Sequence, residues 1–157
     1  MNILLCPCSS GLLYDDCCAP LHRGERHAAD AEALMRSRYA AYVLQQIDYL
    51  IDTTIPAQQA LLNRTAIDAW SRDSEWLGLT VIQHRPKVGR RHAQVEFEAR
   101  FIENGEICSH HELSTFVQID RRWYFIDPTV PLPGMKTPCF CGSGKKFKQC
   151  CGQFLRD

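Results

Sequence analysis

Two short stretches of this 157-residue chain share one unusual arrangement of cysteines, C-x-C-x8-C-C. The Ser and Gly that follow the C-x-C pair also recur at the same offset, as Ser10-Gly11 and as Ser143-Gly144. The repeated cysteines are Cys6, Cys8, Cys17 and Cys18 near the start of the chain and Cys139, Cys141, Cys150 and Cys151 near its end. Only one cysteine, Cys108, lies outside the two copies. The cysteines therefore belong to a repeated small module.

Four thiolates in such a module fit the tetrahedral coordination of zinc, with sulfurs about 2.3 Å from the metal. Glycines 142 and 144 can adopt the positive φ that folds the backbone back over a metal. Residues 145–149 are then expected to form a short helical turn that delivers the last two ligands. Metal binding would supply the folding energy, about 10–16 kcal/mol in comparable peptides. Two zinc sites are predicted, with iron as the alternative because it also accepts four thiolates.

The alternative to metal is a disulfide framework, which the context disfavours. Only five residues precede Cys6, and no apolar run of signal-peptide length is present. No stretch approaches the roughly 20 apolar residues of a membrane span. We therefore expect a cytoplasmic protein, in which thiols stay reduced and clustered cysteines favour metal. A thiol redox protein remains the other hypothesis for these cysteines.

The charges of the chain balance overall but differ between the two modules. Eighteen basic and eighteen acidic side chains give a formal net charge of zero, which disfavours a nucleic-acid polycation and sequence-specific nucleic-acid binding. Residues 136–153 contain four lysines and no acid, whereas the first module carries Asp15 and Asp16 between its ligand pairs. Since four thiolates around zinc leave a net negative charge, nearby cations stabilise the site and nearby acids weaken it. The N-terminal site is therefore predicted to release its metal first.

Between the modules, hydrophobic periodicity predicts helices followed by strands. A long amphipathic helix is expected from the N-cap Asp30 to just before Pro56, and a second over residues 57–71 with Leu61 and Trp70 inward. Asn104-Gly105 is a strong hairpin signal. The strands are expected at 76–84, 93–102, 107–119 and 123–127. The fold class is thus α+β, with helices on one face of a curved antiparallel sheet that forms a cone with a pocket at its mouth.

The second cysteine stretch resembles the SEC-C motif, the zinc-binding tail of the SecA translocation ATPase, with Cys151 in place of the usual last histidine. Two such motifs around a domain containing Leu34-Met35-Arg36-Ser37-Arg38-Tyr39 and Trp123-Tyr124-Phe125-Ile126-Asp127 are similar to the YchJ family of bacterial proteins. The resemblance implies a cystatin-like, nuclear-transport-factor-two-like central domain. The expected divisions are an N-terminal zinc module (1–22), the central domain (30–128) and a C-terminal zinc module (136–157).

The resemblance also implies a partner, because the SecA motif binds zinc, the SecB chaperone and ribosomes. Lys145, Lys146, Phe147 and Lys148 match the motif and are expected to contact a protein or ribosomal partner. The alternative is that the lysines only balance the thiolates. The N-terminal copy departs from the motif with Ser9 in place of glycine and with Leu12-Leu13 in place of two lysines. The leading hypothesis is a non-enzymatic adaptor near translation or protein export.

A second hypothesis places a small-molecule or enzymatic pocket in the central domain. Arg36 and Arg38 lie near the apolar stripe of the long helix, and a buried arginine needs an acceptor such as Glu112 or Asp127. A core ion pair is the expected role of these four residues, and an anion-binding pocket is the functional alternative. Cys108, His110 and Glu112 share one strand face, for which an exposed polar face is expected. Leu113 and Thr115 replace the arginines expected from the family, which argues against a charged pocket.

Overall fold

The computed structural model describes residues 4–155, in which five helices precede a four-stranded antiparallel sheet. The helices are α1 (Ala19–His22), α2 (Ala31–Val43), α3 (Ile47–Asp52), α4 (Pro56–Gln59) and α5 (Arg64–Asp73). The strands are β1 (Glu75–Arg85), β2 (His92–Glu103), β3 (Glu106–Ile119) and β4 (Arg122–Ile126). They pair in the order β1-β2-β3-β4, the meander expected from the sequence. The helices pack on one side of this sheet, in a core built from both helix and strand residues, which confirms the α+β fold class.

The strand pattern confirms the predicted alternation. Val95, Phe97, Ala99 and Phe101 of β2 are all buried, while the residues between them are partly exposed. β2 and β3 are joined by the predicted two-residue turn, in which Asn104 and Gly105 both have positive φ, 53° and 79°. Such a turn matches the twist of a hairpin and fixes its register. Residue pairs can therefore be counted outward from Glu103 and Glu106, which lie opposite each other.

The first long helix begins as predicted but does not continue to Pro56. The Asp30 carboxylate accepts a hydrogen bond from the Ala33 amide at 2.8 Å, which caps α2. α2 then ends at Val43, and Gln45 adopts a positive φ of 54°. The Gln46 amide donates to the Ala41 carbonyl at 2.8 Å, as in a Schellman motif with glutamine in the place that glycine usually takes. The prediction of one five-turn helix was wrong because this cap directs α3 away from α2.

The second predicted helix is also divided. α4 covers only the turn after Ile55, and α5 starts after Asn63, whose side chain accepts from the Ala66 amide at 3.0 Å. Leu61, expected to face inward, is 51% exposed in the loop between them. Trp70 on α5 does face inward, where its ring packs against Tyr42 and Trp76. Asn63 acts as an N-cap, which restarts the helix at that point.

α2 lies across the concave face of the sheet and carries the main core. Leu34, Met35 and Tyr39 of α2 pack with Leu79, Val95 and Phe116 from three strands. A cavity remains between α2, α5 and the sheet. None of the helices within residues 4–155 has both the length and the apolar composition needed to cross a membrane.

Candidate metal centres and central cavity

The N-terminal module (residues 4–22) and the C-terminal module (residues 135–155) have the same backbone hydrogen bonds. In the first, the Cys6 amide donates to the Leu12 carbonyl at 2.8 Å, and in the second the Cys139 amide donates to the Lys145 carbonyl at 2.8 Å. Each module then makes a short 3₁₀ turn, Tyr14–Asp16 or Phe147–Gln149, before its last two cysteines. The turn predicted for residues 145–149 is confirmed over Phe147–Gln149, and the N-terminal module contains its counterpart.

The thiols of each module converge on one point. Within each set of four, all sulfurs lie within 4.8 Å of one another. The Cys8 and Cys17 sulfurs are 3.6 Å apart, and those of Cys141 and Cys150 are 3.5 Å apart. Four sulfurs at about 2.3 Å from one metal lie on tetrahedron edges of roughly 3.8 Å. The two clusters are therefore consistent with metal binding.

Positive-φ residues create the turn over each cluster. In the C-terminal module they are Gly142 and Gly144, with φ of 80° and 84°. In the N-terminal module they are Ser9 and Gly11, with φ of 69° and 85°. A residue with a side chain is disfavoured in this left-handed region, by about 1–2 kcal/mol. Ser9 therefore carries a strain that Gly142 does not.

Without a metal, the thiols share protons unequally. Hydrogen bonding from Cys151 lowers the pKa of the Cys141 thiol to about 4. The same contact raises the pKa of Cys151, and burial adds to that increase. In the N-terminal module the pKa of Cys8 is lowered by hydrogen bonds from Cys18 and Cys6. A cation at either centre would replace these shared protons, since metal ligands must be thiolates.

Two side chains of the central domain form hydrogen bonds with sulfurs of the C-terminal module. Arg91 donates from Nη2 to the Cys141 sulfur at 2.8 Å, and His92 Nε2 lies 3.1 Å from the Cys151 sulfur. His92 also stacks on Phe154, with ring centroids 4.6 Å apart. Sequence analysis missed both residues, because they lie 50 and 59 positions before the cysteines that they contact. The basic run Arg90-Arg91-His92 at the start of β2 was their only signal.

The C-terminal module also shares a hydrophobic cluster with the central domain. Cys139, Cys151 and Phe147 pack with Val117 and Ile126 of the sheet. The Thr115 hydroxyl of β3 donates to the Phe154 carbonyl at 3.0 Å. The module is thus attached to the sheet by both apolar and polar contacts.

The N-terminal module is attached to α2 with fewer apolar contacts. Its cysteines pack with Ala40 of that helix. Arg36 donates from Nη1 to the Cys8 carbonyl at 2.8 Å and forms an ion pair with Glu32. His22 Nε2 contacts the Ser37 carbonyl at 2.8 Å. Arg36, predicted for a pocket, instead joins this module to the helix.

The residues predicted to contact a partner do not share one environment. Lys145 and Lys146 are exposed and Lys148 is partly exposed. Phe147 is only 2% exposed and packs edge-on against Phe140, so it is a core residue of the module. The expectation that Phe147 contacts a partner was therefore wrong, because its ring is buried inside the module.

The other three predicted pocket residues meet at the central cavity, but without the expected ion pair. Arg38, Glu112 and Asp127 all line it. Arg38 Nη1 donates to the Leu50 carbonyl at 2.8 Å and to the Thr53 hydroxyl at 2.7 Å. Among the described side chains no carboxylate lies within 4.0 Å of this guanidinium. The prediction of a core ion pair was wrong, because the Arg38 guanidinium donates to neutral oxygens instead.

His110 and Glu112 line the cavity rather than an exposed strand face. The hairpin register places His110 opposite Ala99 and Glu112 opposite Phe97, and both partners are buried on the concave side. His110 Nε2 lies 3.4 Å from the Glu112 carboxylate, which also accepts from Ser114. Cys108 is not among the cavity-lining residues. The placement of His110 and Glu112 could have been predicted from the Asn104-Gly105 turn, because the turn fixes which residues of β3 lie on the same sheet face as the buried residues of β2.

The fold and the two cysteine clusters define a protein with two SEC-C motifs around a central α+β domain. The SEC-C motif model matches residues 4–20 and 135–153. The family model described as YchJ, middle NTF2-like domain, matches residues 30–128. This chain belongs to the YchJ family.

Relatives and solved structures agree with this assignment over nearly the whole chain. A UPF0225 protein of Actinobacillus succinogenes is 56% identical over 96% of this chain and 98% of its own length. One from Haemophilus influenzae strain PittEE is 51% identical over 96% of this chain and 93% of its own. The crystal structure of a SEC-C motif containing protein from Psychrobacter arcticus is 48% identical, with a TM-score of 0.89 and coverage of 95% and 96%. A solution structure from Rhodopseudomonas palustris, also of a SEC-C motif containing protein, is 44% identical, with a TM-score of 0.72 and coverage of 81% and 96%.

Proposed function

We propose that the protein is a non-enzymatic, cytoplasmic, zinc-binding adaptor whose C-terminal module contacts an acidic surface of a partner. The observation that carries this proposal is a set of lysines, here called the lysine face, on a module that is firmly attached to the central domain. The lysine face consists of Lys136, Lys145, Lys146 and Lys148. A rigidly held cluster of one charge sign suits recognition of an acidic protein or of ribosomal phosphate.

Zinc is the proposed ion at both centres. Support comes from donor sets made only of sulfur and from sulfur–sulfur distances of 3.5–3.9 Å, which suit a shared ion. A disulfide needs its sulfurs about 2.05 Å apart, so none of these pairs is bonded. Iron is the alternative ion with the same ligands. Thiol redox chemistry is the alternative function, and it requires metal-free cysteines that cycle reversibly.

The charges of the lysine face are available to a partner. Within the part of the chain that the structure describes, none of these four lysines has a carboxylate within 4.0 Å. The motif resemblance suggests a SecB-like chaperone or the ribosome as partner.

Charge reversal tests the contact. The variant Lys145→Glu, Lys146→Glu, Lys148→Glu is compared with wild type in co-sedimentation with purified ribosomes and in binding to a purified SecB-type chaperone. We expect at least about a tenfold loss of affinity for one of these partners, since each lysine near an anionic surface contributes of order 1 kcal/mol. Equal affinity of the variant and the wild type for both partners would overturn the contact.

The matched control reverses three exposed arginines on the helical side of the domain, Arg26, Arg64 and Arg72, which are not among the residues that contact the C-terminal module. This control changes the net charge by the same amount, so it measures general charge repulsion. We expect it to retain near wild-type affinity. Elemental analysis of both variants separates the two parts of the proposal, because loss of contact should leave two zinc ions per chain.

A further inference from the structure

We propose that the central cavity is a binding site for a small aromatic carboxylate. The proposal rests on the shape and charges of the central domain, and it does not depend on the lysine face or on the metal centres. The cavity has a volume of about 340 Å³, which lies within the range of small-molecule pockets. It lies between α2, α5 and the concave face of the sheet.

Aromatic side chains are the largest group in the cavity wall. They are Tyr39, Tyr42, Trp70, Trp76, Phe97, Phe116 and Phe125. Tyr42, Trp70 and Trp76 already pack edge-on or tilted against one another, with centroids 5.0–5.7 Å apart, so the wall is preformed. Flat apolar ligands gain most from such a wall, because aromatic pairs add offset or edge contacts to the area that they bury. The body of the ligand is therefore expected to be aromatic.

Arg38 supplies the group that fixes the orientation of the ligand. Its guanidinium lies 4.4 Å over the ring of Phe125, and its Nη1 is held by the Leu50 carbonyl and the Thr53 hydroxyl. These acceptors are neutral, so the positive charge has no counterion among the described side chains within 4.0 Å. Burial lowers the pKa of Arg38, while the more distant carboxylates of Asp127 and Glu112 act in the opposite direction. An anchored guanidinium with its charge unmatched suits a carboxylate, which it can bind with two parallel hydrogen bonds.

The two carboxylates in the wall already have partners of their own. Glu112 accepts from Ser114 and lies 3.4 Å from His110. Asp127 accepts from the Thr129 amide at 2.8 Å. His110 can offset the charge of Glu112, because the contact with Glu112 raises the pKa of the imidazole against the effect of burial. Asp127, like Arg38, has only neutral partners, so a cation bound at Asp127 is the competing outcome that the test must separate from a carboxylate bound at Arg38.

The test compares ligands that differ only in charge. The full-length, metal-loaded protein is titrated with benzoate, cinnamate and indole-3-acetate, with the amide of each, and with tryptamine as a cation. Binding is followed by the NMR signals of the indole N–H groups, since Trp70 and Trp76 line the cavity and Trp123 does not. We expect at least one carboxylate to shift the first two signals and to bind at least about tenfold more tightly than its amide, as for a charge-assisted bidentate pair.

Three affinity results would overturn the proposal. They are absence of binding by all three carboxylates at millimolar concentration, equal affinity of every carboxylate and its amide, and tighter binding of tryptamine. Shifts confined to Trp123 would also overturn it, because they would place the ligand elsewhere. Each of these results can be obtained with wild-type protein, so the test does not depend on a variant that folds.

Variants then locate the site. Ala66→Phe on the exposed rim of α5 should narrow the opening and weaken carboxylate binding at least about fivefold, while Ala69→Phe on the same helix faces away from the cavity and should not. Arg38→Gln should remove the preference for carboxylate over amide without removing ring binding. If Ala66→Phe binds as tightly as Ala69→Phe, the cavity is not the site.

Discussion

The two cysteine modules have the same backbone and the same ligands, yet they differ in surface and in attachment. Lys145, Lys146 and Lys148 of the second module correspond to Leu12, Leu13 and Asp15 of the first. Both leucines are exposed, at 54% and 38%. The hydrogen bonds and thiols of a module thus fix its fold but leave the residues between the ligands free to differ. These residues are therefore one source of a difference in function between the modules.

Their attachments to the central domain differ as well. The C-terminal module receives Arg91 and His92 at two of its sulfurs and shares a hydrophobic cluster with the sheet. The N-terminal module receives Arg36 at a carbonyl oxygen, and its cysteines pack with Ala40 of α2. We infer that the C-terminal module is the more integral part of the structure. Four predictions follow from this difference.

The largest expected effect is on stability. Cys139→Ser and Cys6→Ser remove equivalent ligands from the two modules. Cys139 packs with Val117 and Ile126 of the sheet, so its loss should lower the free energy of unfolding of the central domain by at least about 3 kcal/mol. The Cys6 change should cost that domain about 1 kcal/mol. Urea unfolding followed by tryptophan fluorescence measures both, and equal losses would contradict the comparison.

The second prediction concerns the order of metal release. The N-terminal centre has Asp15 and Asp16 near it and no cationic donor to sulfur among the hydrogen bonds of the described residues, so it should lose metal at a chelator concentration at least about tenfold lower. Stepwise titration with a chelator, observed by NMR signals of Gly11 and Gly144, distinguishes the centres. Release from the C-terminal centre first would be the opposite of what the contacts predict.

The third prediction isolates one of those contacts. Arg91→Gln removes the cation that lies 2.8 Å from the Cys141 sulfur, so it should weaken metal binding at the C-terminal centre about tenfold. Arg90→Gln is the matched control, because Arg90 is exposed and is not among the donors to sulfur. Competition with a chromophoric chelator gives the affinities. If both variants bind metal as tightly as the wild type, Arg91 has no part in holding the metal.

The smallest expected effect comes from the turn over each cluster. Ser9→Gly should stabilise the N-terminal module by no more than about 1 kcal/mol, because it relieves a positive φ of 69° but also removes the hydroxyl that accepts from the Leu79 amide at 3.4 Å. Gly142→Ser should destabilise the C-terminal module by a similar amount, since it introduces the same strain at φ of 80°. Thermal unfolding of the two variants shows whether the first is stabilised and the second destabilised relative to the wild type. A stability unchanged in either variant would show that the turn tolerates a side chain.

The sequence predicted those parts of the structure that depend on local pattern. The cysteine spacing located both modules, the alternation in β2 located the core face of the sheet, and Asn104-Gly105 located the hairpin. The break after Val43 was missed because no glycine or proline marks it. The chain reverses there through a cap that uses Gln45, a residue that gives no signal of a helix end.

The parts that were missed depend on contacts distant in sequence. Arg91 contacts a sulfur 50 positions later, and Arg38 donates to oxygens at the C-terminal end of α3 rather than to a carboxylate. Neither set of partners follows from sequence periodicity, because the partners depend on which elements pack together in the folded protein. His110 and Glu112 are different, since the hairpin register contained their placement on the concave face.

The central claim, that eight thiols form two metal centres, is tested most directly by elemental analysis. The protein is purified under reducing conditions without added metal, and metal content is measured together with a count of thiols that react before and after chelation. The account predicts two metal ions per chain, with eight cysteines becoming reactive only after the metal is removed. A metal-free preparation in which NMR shows both modules still ordered would contradict it.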